Sequence, residues 1–154
     1  MEKPDPGAIL KMRKAMRRDG MIQKIAHIGV AVKDMEETER FYTEVLSLGI
    51  SGRESVGEIN ITIIPVGDTM IELLQSTTPD GVISKFIDEK GAGIHHIAYQ
   101  VDDIDKALED LKAKGVRLID EQPRGGIHNS RIAFLSPQSS YGVAIELVEH
   151  KKKS

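Results

Sequence analysis

The fold is decided by the stretch HIGVAVKD at His27–Asp34, which recurs in similar form as HIAYQVDD at His96–Asp103. Each copy reads as an apolar strand that runs directly into a helix, because Val- and Ile-rich residues give way to apolar residues at helical spacing. The first helix is predicted over about 35–46 and the second over about 103–114. The chain therefore starts two similar units, and their first residues are 69 positions apart.

The two units also end alike, in MIELL at Met70–Leu74 and in AIELV at Ala144–Val148. Between each helix and its ending lie further strand-like runs, of which Ile59–Ile64 and Arg131–Leu135 are the clearest. Each unit therefore reads as strand, helix and three strands, and two such units indicate a duplication. The sequence predicts an α+β domain built from two βαβββ repeats.

Apolar residues at helical spacing predict which side of each helix faces the core. The residues expected to face inward are Met35, Phe41, Tyr42, Val45 and Leu46 in the first helix and Ile104, Ala107, Leu108 and Leu111 in the second. We place the two repeats at about 22–76 and 92–150, within one domain over 22–150. Residues 81–90 are predicted to form an extra helix between the repeats. Residues 1–21 form a separate N-terminal basic arm, either a short amphipathic helix or a loosely attached segment.

Composition narrows the possible functions before any site is considered. The chain of 154 residues contains no cysteine, which excludes disulfides, thiolate metal sites and a cysteine nucleophile. A net charge of −3 gives no indication of nucleic acid as a partner. The sequence has neither an apolar run of membrane-spanning length nor a secretory signal pattern, so we expect no membrane partner and a cytoplasmic protein.

Four residues at matching positions in the two repeats stand out as candidate metal ligands. His27 and His96 lie in the first strand of each repeat, and Glu72 and Glu146 lie in the last. A carboxylate inside an apolar strand is costly unless it is paired or metal-bound. A single His or Glu in a strand is more often an ordinary packed or water-facing residue, but the doubled set favours a metal site.

Strand alternation supports this choice, because residues i and i+2 share a face. His27 shares its face with Ile25, Gly29 and Ala31, so small neighbours leave space beside it. By the same rule His95 is expected on the opposite face from His96, as a structural or supporting residue. Imidazole and carboxylate ligands suit a borderline divalent ion, and we predict one Co, Ni, Zn or Mn ion per chain.

Longer motifs resemble a known family over about residues 22–149. They are AHIGVAV at 26–32, VGDTMIELL at 66–74, GIHHIA at 93–98, GVRLIDE at 115–121 and GVAIEL at 142–147. The sequence resembles the vicinal oxygen chelate superfamily, to which glyoxalases and bleomycin resistance proteins belong, and is most similar to its methylmalonyl-CoA epimerases. The resemblance implies a cupped, eight-stranded mixed sheet around a metal site, and a homodimer.

The resemblance also implies a reaction, namely epimerisation of methylmalonyl-CoA or a similar acyl-CoA through an enolate that the metal stabilises. The family's metal ligands carry over to His27, Glu72, His96 and Glu146, and Glu146 matches a glutamate that the family also uses as acid and base. A second acid/base glutamate of some epimerases is replaced here by Asn60.

Further departures from the family fall in two other places. Ser136-Pro137-Gln138 replaces a common His-Pro-Lys, and the loop that contains His128 is bulkier than is usual in the family. Asn60, His128 and Gln138 are therefore candidate substrate contacts. Two alternative functions are a glyoxalase-I-like lyase or isomerase and a non-catalytic small-molecule binding protein of the resistance type. A ring-cleaving dioxygenase is disfavoured, because that chemistry uses two histidines and one carboxylate, and a fourth protein ligand would occupy a position that oxygen and substrate need.

Overall fold

Two βαβββ repeats follow one another along the chain in the computed structural model, which describes residues 3, 5–16 and 20–151. The described helices are α1 (Pro6–Met16), α2 (Met35–Arg40), α3 (Val82–Lys90) and α4 (Ile104–Ala113), with a π-helical turn (Phe41–Val45) directly after α2. The described strands are β1 (Ile22–Ala31), β2 (Gly52–Val56), β3 (Ile59–Val66), β4 (Thr69–Ser76), β5 (Gly93–Val101), β6 (Arg124–Gly125), β7 (Arg131–Phe134) and β8 (Ile145–Glu149).

All eight strands form one mixed sheet in the order β2-β3-β4-β1-β5-β8-β7-β6. The pairs β1–β4 and β5–β8 are parallel, and the two repeats join through the antiparallel pair β1–β5. Equivalent residues occupy equivalent registers, because Glu72 lies opposite Gly29 and Glu146 lies opposite Ala98. The predicted duplication and the cupped eight-stranded mixed sheet are thereby confirmed.

Helices α2 and α4 cover the outer face of the sheet, and the inner face is left to line the site. On the outer side, Ile104, Ala107 and Leu108 of α4 are buried, and Leu111 packs against them, as the sequence predicts. On the inner side, Ile61, Ile63, Leu74 and Ile83 form a second buried cluster. Alternation along β3 therefore sends Ile61 and Ile63 to the inner face.

The two repeats begin their helices with the same N-cap. The side chain of Asp34 accepts a hydrogen bond from the backbone N–H of Glu37, and that of Asp103 accepts one from Lys106. Such caps satisfy backbone donors that the first helical turn leaves free. The duplicated VKD and VDD sequences therefore end each strand and start each helix in the same way.

One prediction about the first helix is wrong. Phe41, Val45 and Leu46 were expected to face inward, but they are 49%, 66% and 48% exposed. These residues lie in or directly after the π-helical turn at Phe41–Val45, whose wider winding departs from the 3.6-residue period on which the expectation rests. Met35 and Tyr42 do pack against the buried residues of the sheet.

The N-terminal arm contains the helix α1, and the choice between an amphipathic helix and a loosely attached segment stays a prediction. Leu10 and Met12 of this helix are each 63% exposed. Arg17 and Arg18, which contribute to the predicted basic character, and the tail from Lys152 lie outside the described residues. Within the described part of the chain, no helix combines the length and the apolarity needed to cross a bilayer.

Candidate metal centre

His27, His96 and Glu146 meet at one buried point on the inner face of the sheet. The Nε2 atoms of the two histidines lie 3.0 Å apart. Glu146 Oε2 lies 2.9 Å from His96 Nε2 and 3.4 Å from His27 Nε2. One ligand atom from each of the three residues therefore lies within 4.8 Å of the other two.

The strand register explains why these side chains converge. In the antiparallel pair β1–β5, His27 lies opposite Ala98 and His96 lies opposite Gly29. A Cβ atom added at position 29 would collide with the ring of His96. Gly29 is therefore required for the His96 ring to lie where it does, and the small residues beside the histidines have a direct steric role.

The outer ring nitrogen of each histidine has a partner of its own. Glu72 Oε2 lies 3.0 Å from His27 Nδ1, and His95 Nδ1 lies 2.9 Å from His96 Nδ1. A second partner of this kind fixes the ring and leaves Nε2 to bind a metal. The structure thus brings Glu72 to His27 but not into the three-residue cluster, and a role for Glu72 as fourth ligand stays a prediction.

The sequence expectation for His95 is wrong in one respect. His95 lines the same cavity as His96, although strict alternation places the two on opposite faces. The cause is a shift in the β1–β5 register, because Gly29 pairs with His96 while Val30 pairs with Ile94. His95 is the extra residue of this β-bulge, and a bulge changes the direction of a side chain.

Burial and hydrogen bonding shift the pKa values of the buried histidine and glutamate residues in opposite directions. Burial acts to raise the pKa of Glu146, but hydrogen bonds from His27 and His96 lower it to about 2. Burial raises the pKa of Glu72, and the charge of His27 only partly opposes that rise. Burial opposes the charge of His27, yet the hydrogen bond to Glu146 and the charge of Glu72 raise its pKa.

This donor set fits a divalent metal ion. Two imidazole nitrogens and one carboxylate oxygen point at a common centre, and all three residues are buried. The Nδ1 atoms are held by other groups, which is the usual arrangement around metal-bound histidines. Three protein ligands leave coordination positions open for substrate, as catalytic metal sites do.

The cluster opens into a cavity of about 430 Å³ whose two sides differ in character. The first repeat and α3 contribute mainly apolar side chains, among them Ile59, Ile61, Ile63, Val82 and Ile83. The second repeat contributes apolar side chains such as Ile132 and Phe134 and more polar ones, among them Gln100, Arg124, His128 and Ser130. Pockets of this volume, with a few convergent polar groups, are typical small-molecule sites.

Of the three candidate substrate contacts, the structure brings only His128 to the cavity. Asn60 lies on the outer face of β3, where its Oδ1 accepts a hydrogen bond from Ser55. Alternation explains this position, since Ile59 and Ile61 take the inner face. Gln138 accepts a hydrogen bond from Arg117 and is not among the cavity-lining residues. The expected contacts of Asn60 and Gln138 are therefore not supported.

Sequence reasoning missed several polar residues that line the cavity, including Lys24, Ser130 and His150. Lys24 lies three residues before His27, at a point where a second register shift interrupts the alternation. Ser130 is buried just before β7, and His150 directly follows β8. Of these three, only Ser130 could have been found from the sequence, because it is a small polar residue directly before the apolar strand Arg131–Phe134.

Comparison with known proteins agrees with the geometry. Residues 26–134 match the family described as the Glyoxalase/Bleomycin resistance protein/Dioxygenase superfamily. The chain belongs to this family. It is 36% identical over 132 residues to the uncharacterized protein YqjC of Bacillus subtilis (strain 168), which covers 84% of this chain and 94% of that protein.

Epimerases are among the similar proteins. The chain is 36% identical over 131 residues to the mitochondrial methylmalonyl-CoA epimerase of Dictyostelium discoideum, covering 83% of this chain and 79% of that protein. The crystal structure of methylmalonyl-CoA epimerase from Mycobacterium tuberculosis is similar at 32% identity and a TM-score of 0.85, over 91% of this chain and 96% of that one. The resemblance to epimerases predicted from the sequence is confirmed.

Proposed function

We propose that this protein is a metal-dependent epimerase of methylmalonyl-CoA or a similar acyl-CoA. The observation that carries the proposal is the buried cluster of His27, His96 and Glu146 at the base of a small-molecule cavity. Family membership and relatives named methylmalonyl-CoA epimerase support it further. Methylmalonyl-CoA has an acidic α-proton, because its α-carbon lies between a thioester and a carboxylate.

The residues that would hold the ion are His27, His96 and Glu146, with Glu72 as the predicted fourth ligand. A bound divalent ion would supply Lewis-acid stabilisation of negative charge that develops on the substrate oxygens. The Nδ1 contacts of Glu72 with His27 and of His95 with His96 keep both Nε2 atoms directed at the centre.

Glu146 is the group of this chain that we assign to proton transfer. Hydrogen bonds from His27 and His96 lower the pKa of Glu146, so its carboxylate is ionised at neutral pH and has a free acceptor site for a proton. Burial excludes water from this carboxylate and fixes its position relative to the two histidines. The apolar wall of Ile61 and Ile63 suits the alkyl branch of the substrate.

Exchange of the α-proton with deuterated water tests this function directly. The purified chain is loaded with cobalt, nickel, zinc or manganese, incubated with methylmalonyl-CoA and followed by mass spectrometry. We expect deuterium at the α-carbon, loss of exchange after chelation and recovery when metal is returned. Absence of exchange in every metal-loaded sample would overturn the proposal.

The same samples distinguish the alternatives. A glyoxalase-I-like enzyme would convert the adduct of methylglyoxal and glutathione and leave the α-proton of methylmalonyl-CoA in place. A non-catalytic binding protein would do neither and would keep its ligand binding after Glu72→Ala. The homodimer inferred from the family resemblance stays a prediction.

A further inference from the structure

The turn between β6 and β7 contains two consecutive non-glycine residues with positive φ, His128 at 51° and Asn129 at 59°. Such φ values are uncommon for residues that carry a side chain. The turn is closed by hydrogen bonds from Gly126 N to Ser130 O and from Ser130 N to Ile127 O, both 3.0 Å long. Residues held in sparsely populated backbone conformations are concentrated at functional sites.

This turn belongs to the second repeat but contacts the first. Ile127 packs against the buried cluster that contains Ile61 and Ile63. The adjacent His128 places its Nε2 3.0 Å from Glu54 Oε1 on β2. Because Nε2 faces the carboxylate, Nδ1 is the ring nitrogen that is left to exchange a proton with another group.

His128 also lines the cavity that contains the histidine–glutamate cluster. A proton donor at this position faces the same space in which the substrate would bind.

The proposed reaction needs a second acid/base group, on the face of the α-carbon opposite Glu146. The inner wall formed by β3 offers none, because it consists of Ile59, Ile61 and Ile63. Outside the cluster, the titratable residues that line the cavity are Lys24, Asp68, His95, Arg124, His128 and His150. Of these six, His128 alone places a ring nitrogen against a carboxylate. Such a carboxylate orients an imidazole.

We propose that His128, positioned by Glu54, is the second acid/base group of the epimerase. This inference rests on the proposed function. Glu146 takes the α-proton of one epimer, so the Cα–H bond breaks and its electron pair forms the enolate. Imidazolium of His128 then donates a proton to the opposite face, a new Cα–H bond forms and the thioester is restored. Proton exchange with solvent returns Glu146 and His128 to their starting states.

The test uses His128→Asn, because Asn tolerates a positive φ but cannot transfer the proton. Each epimer of methylmalonyl-CoA is incubated separately with metal-loaded protein in deuterated water, and both α-exchange and epimerisation are measured. We expect epimerisation to fall by about 10²–10⁴-fold. The epimer that Glu146 deprotonates should still exchange at a rate close to that of the unaltered protein, whereas the other should not.

Two further variants separate proton transfer from shape. Asn129→Gly alters the neighbouring position of the same turn and should keep both exchange rates. His128→Gly should recover epimerisation when imidazole is added, which a purely structural role would not produce. Glu54→Gln should lower kcat for epimerisation with little change in KM. The decrease in kcat should be smaller than that in His128→Asn.

The outcomes distinguish the inference from the function on which it rests. Near-normal epimerisation by His128→Asn would overturn the assignment, and so would equal loss of exchange from both epimers. If the unaltered, metal-loaded protein exchanges neither epimer, the proposed function itself fails and the role of His128 is rejected with it.

Discussion

Glu72 and Glu146 occupy equivalent positions in the two repeats, yet they contact different partners. Glu146 lies against the Nε2 atoms of both histidines, whereas Glu72 touches only Nδ1 of His27. The pKa of Glu146 is lowered to about 2, and that of Glu72 is raised by burial. Duplication therefore gives the two glutamates equivalent backbone positions, while the groups around each carboxylate decide the direction in which its pKa shifts.

The cavity walls differ between the repeats in the same way. The strand β3 of the first repeat presents Ile59, Ile61 and Ile63, and the region around the β6–β7 turn of the second presents Arg124, His128 and Ser130. The wall at β3 is thus suited to an alkyl group, and the region around the turn to polar parts of a ligand. Corresponding strands of the two repeats therefore present different side chains to the cavity.

The largest expected effect comes from neutralising the two glutamates separately. Glu146→Gln should reduce α-proton exchange by about 10²–10⁴-fold, because the proton acceptor and a ligand are both impaired. Glu72→Gln should cost roughly 10–100-fold in metal affinity, as for a group that orients a ligand. Exchange rates at saturating metal compare the two. Equal loss in both variants would contradict the asymmetry.

The second effect concerns the close approach of the repeats at Gly29. Gly29→Ala should displace the His96 ring and weaken metal binding by roughly 10–100-fold, as when support for a ligand is lost. Gly52→Ala is the matched control, because a Cβ there meets nothing within 4 Å. Metal titration of both variants checks the prediction, which fails if they bind metal equally well.

A third prediction concerns the apolar side of the cavity. Val82 lines it from α3 and is 64% exposed, so a larger residue should be tolerated there. Val82→Phe should lower kcat/KM for ethylmalonyl-CoA relative to methylmalonyl-CoA by about fourfold, the value of one buried methylene. Val66→Phe, on β3 but outside the cavity, should leave the ratio unchanged. A ratio that does not move in Val82→Phe would contradict the assigned wall.

The smallest expected effect concerns the helix N-caps, which are alike in the two repeats. Asp34→Ala and Asp103→Ala each remove an N-cap of the same geometry. Each should lower the free energy of unfolding by about 1 kcal/mol, as loss of a helix cap does. Denaturant unfolding measures both. If only one variant is destabilised, the structural equivalence of the two helix starts is disproved.

Most of the fold could be predicted from the sequence because the repeated strand-to-helix pattern is strong. The convergence of His27, His96 and Glu146 could be predicted too, because histidine and glutamate are unusual inside apolar strands. The β-bulge at His95 and the π-helical turn at Phe41–Val45 could not, because each inserts a residue that breaks the regular period. The expectation that Asn60 contacts substrate is not supported either, because matching a motif does not say which face of β3 a residue occupies.

The central claim is that one divalent ion binds where the two repeats meet, and metal titration tests it most directly. Calorimetric titration with zinc or cobalt, together with elemental analysis, should give one ion per chain for the unaltered protein. His27→Ala and His96→Ala should each abolish that binding while the far-ultraviolet circular dichroism stays unchanged. Absence of tight binding in the unaltered chain, or full retention in both variants, would contradict the account.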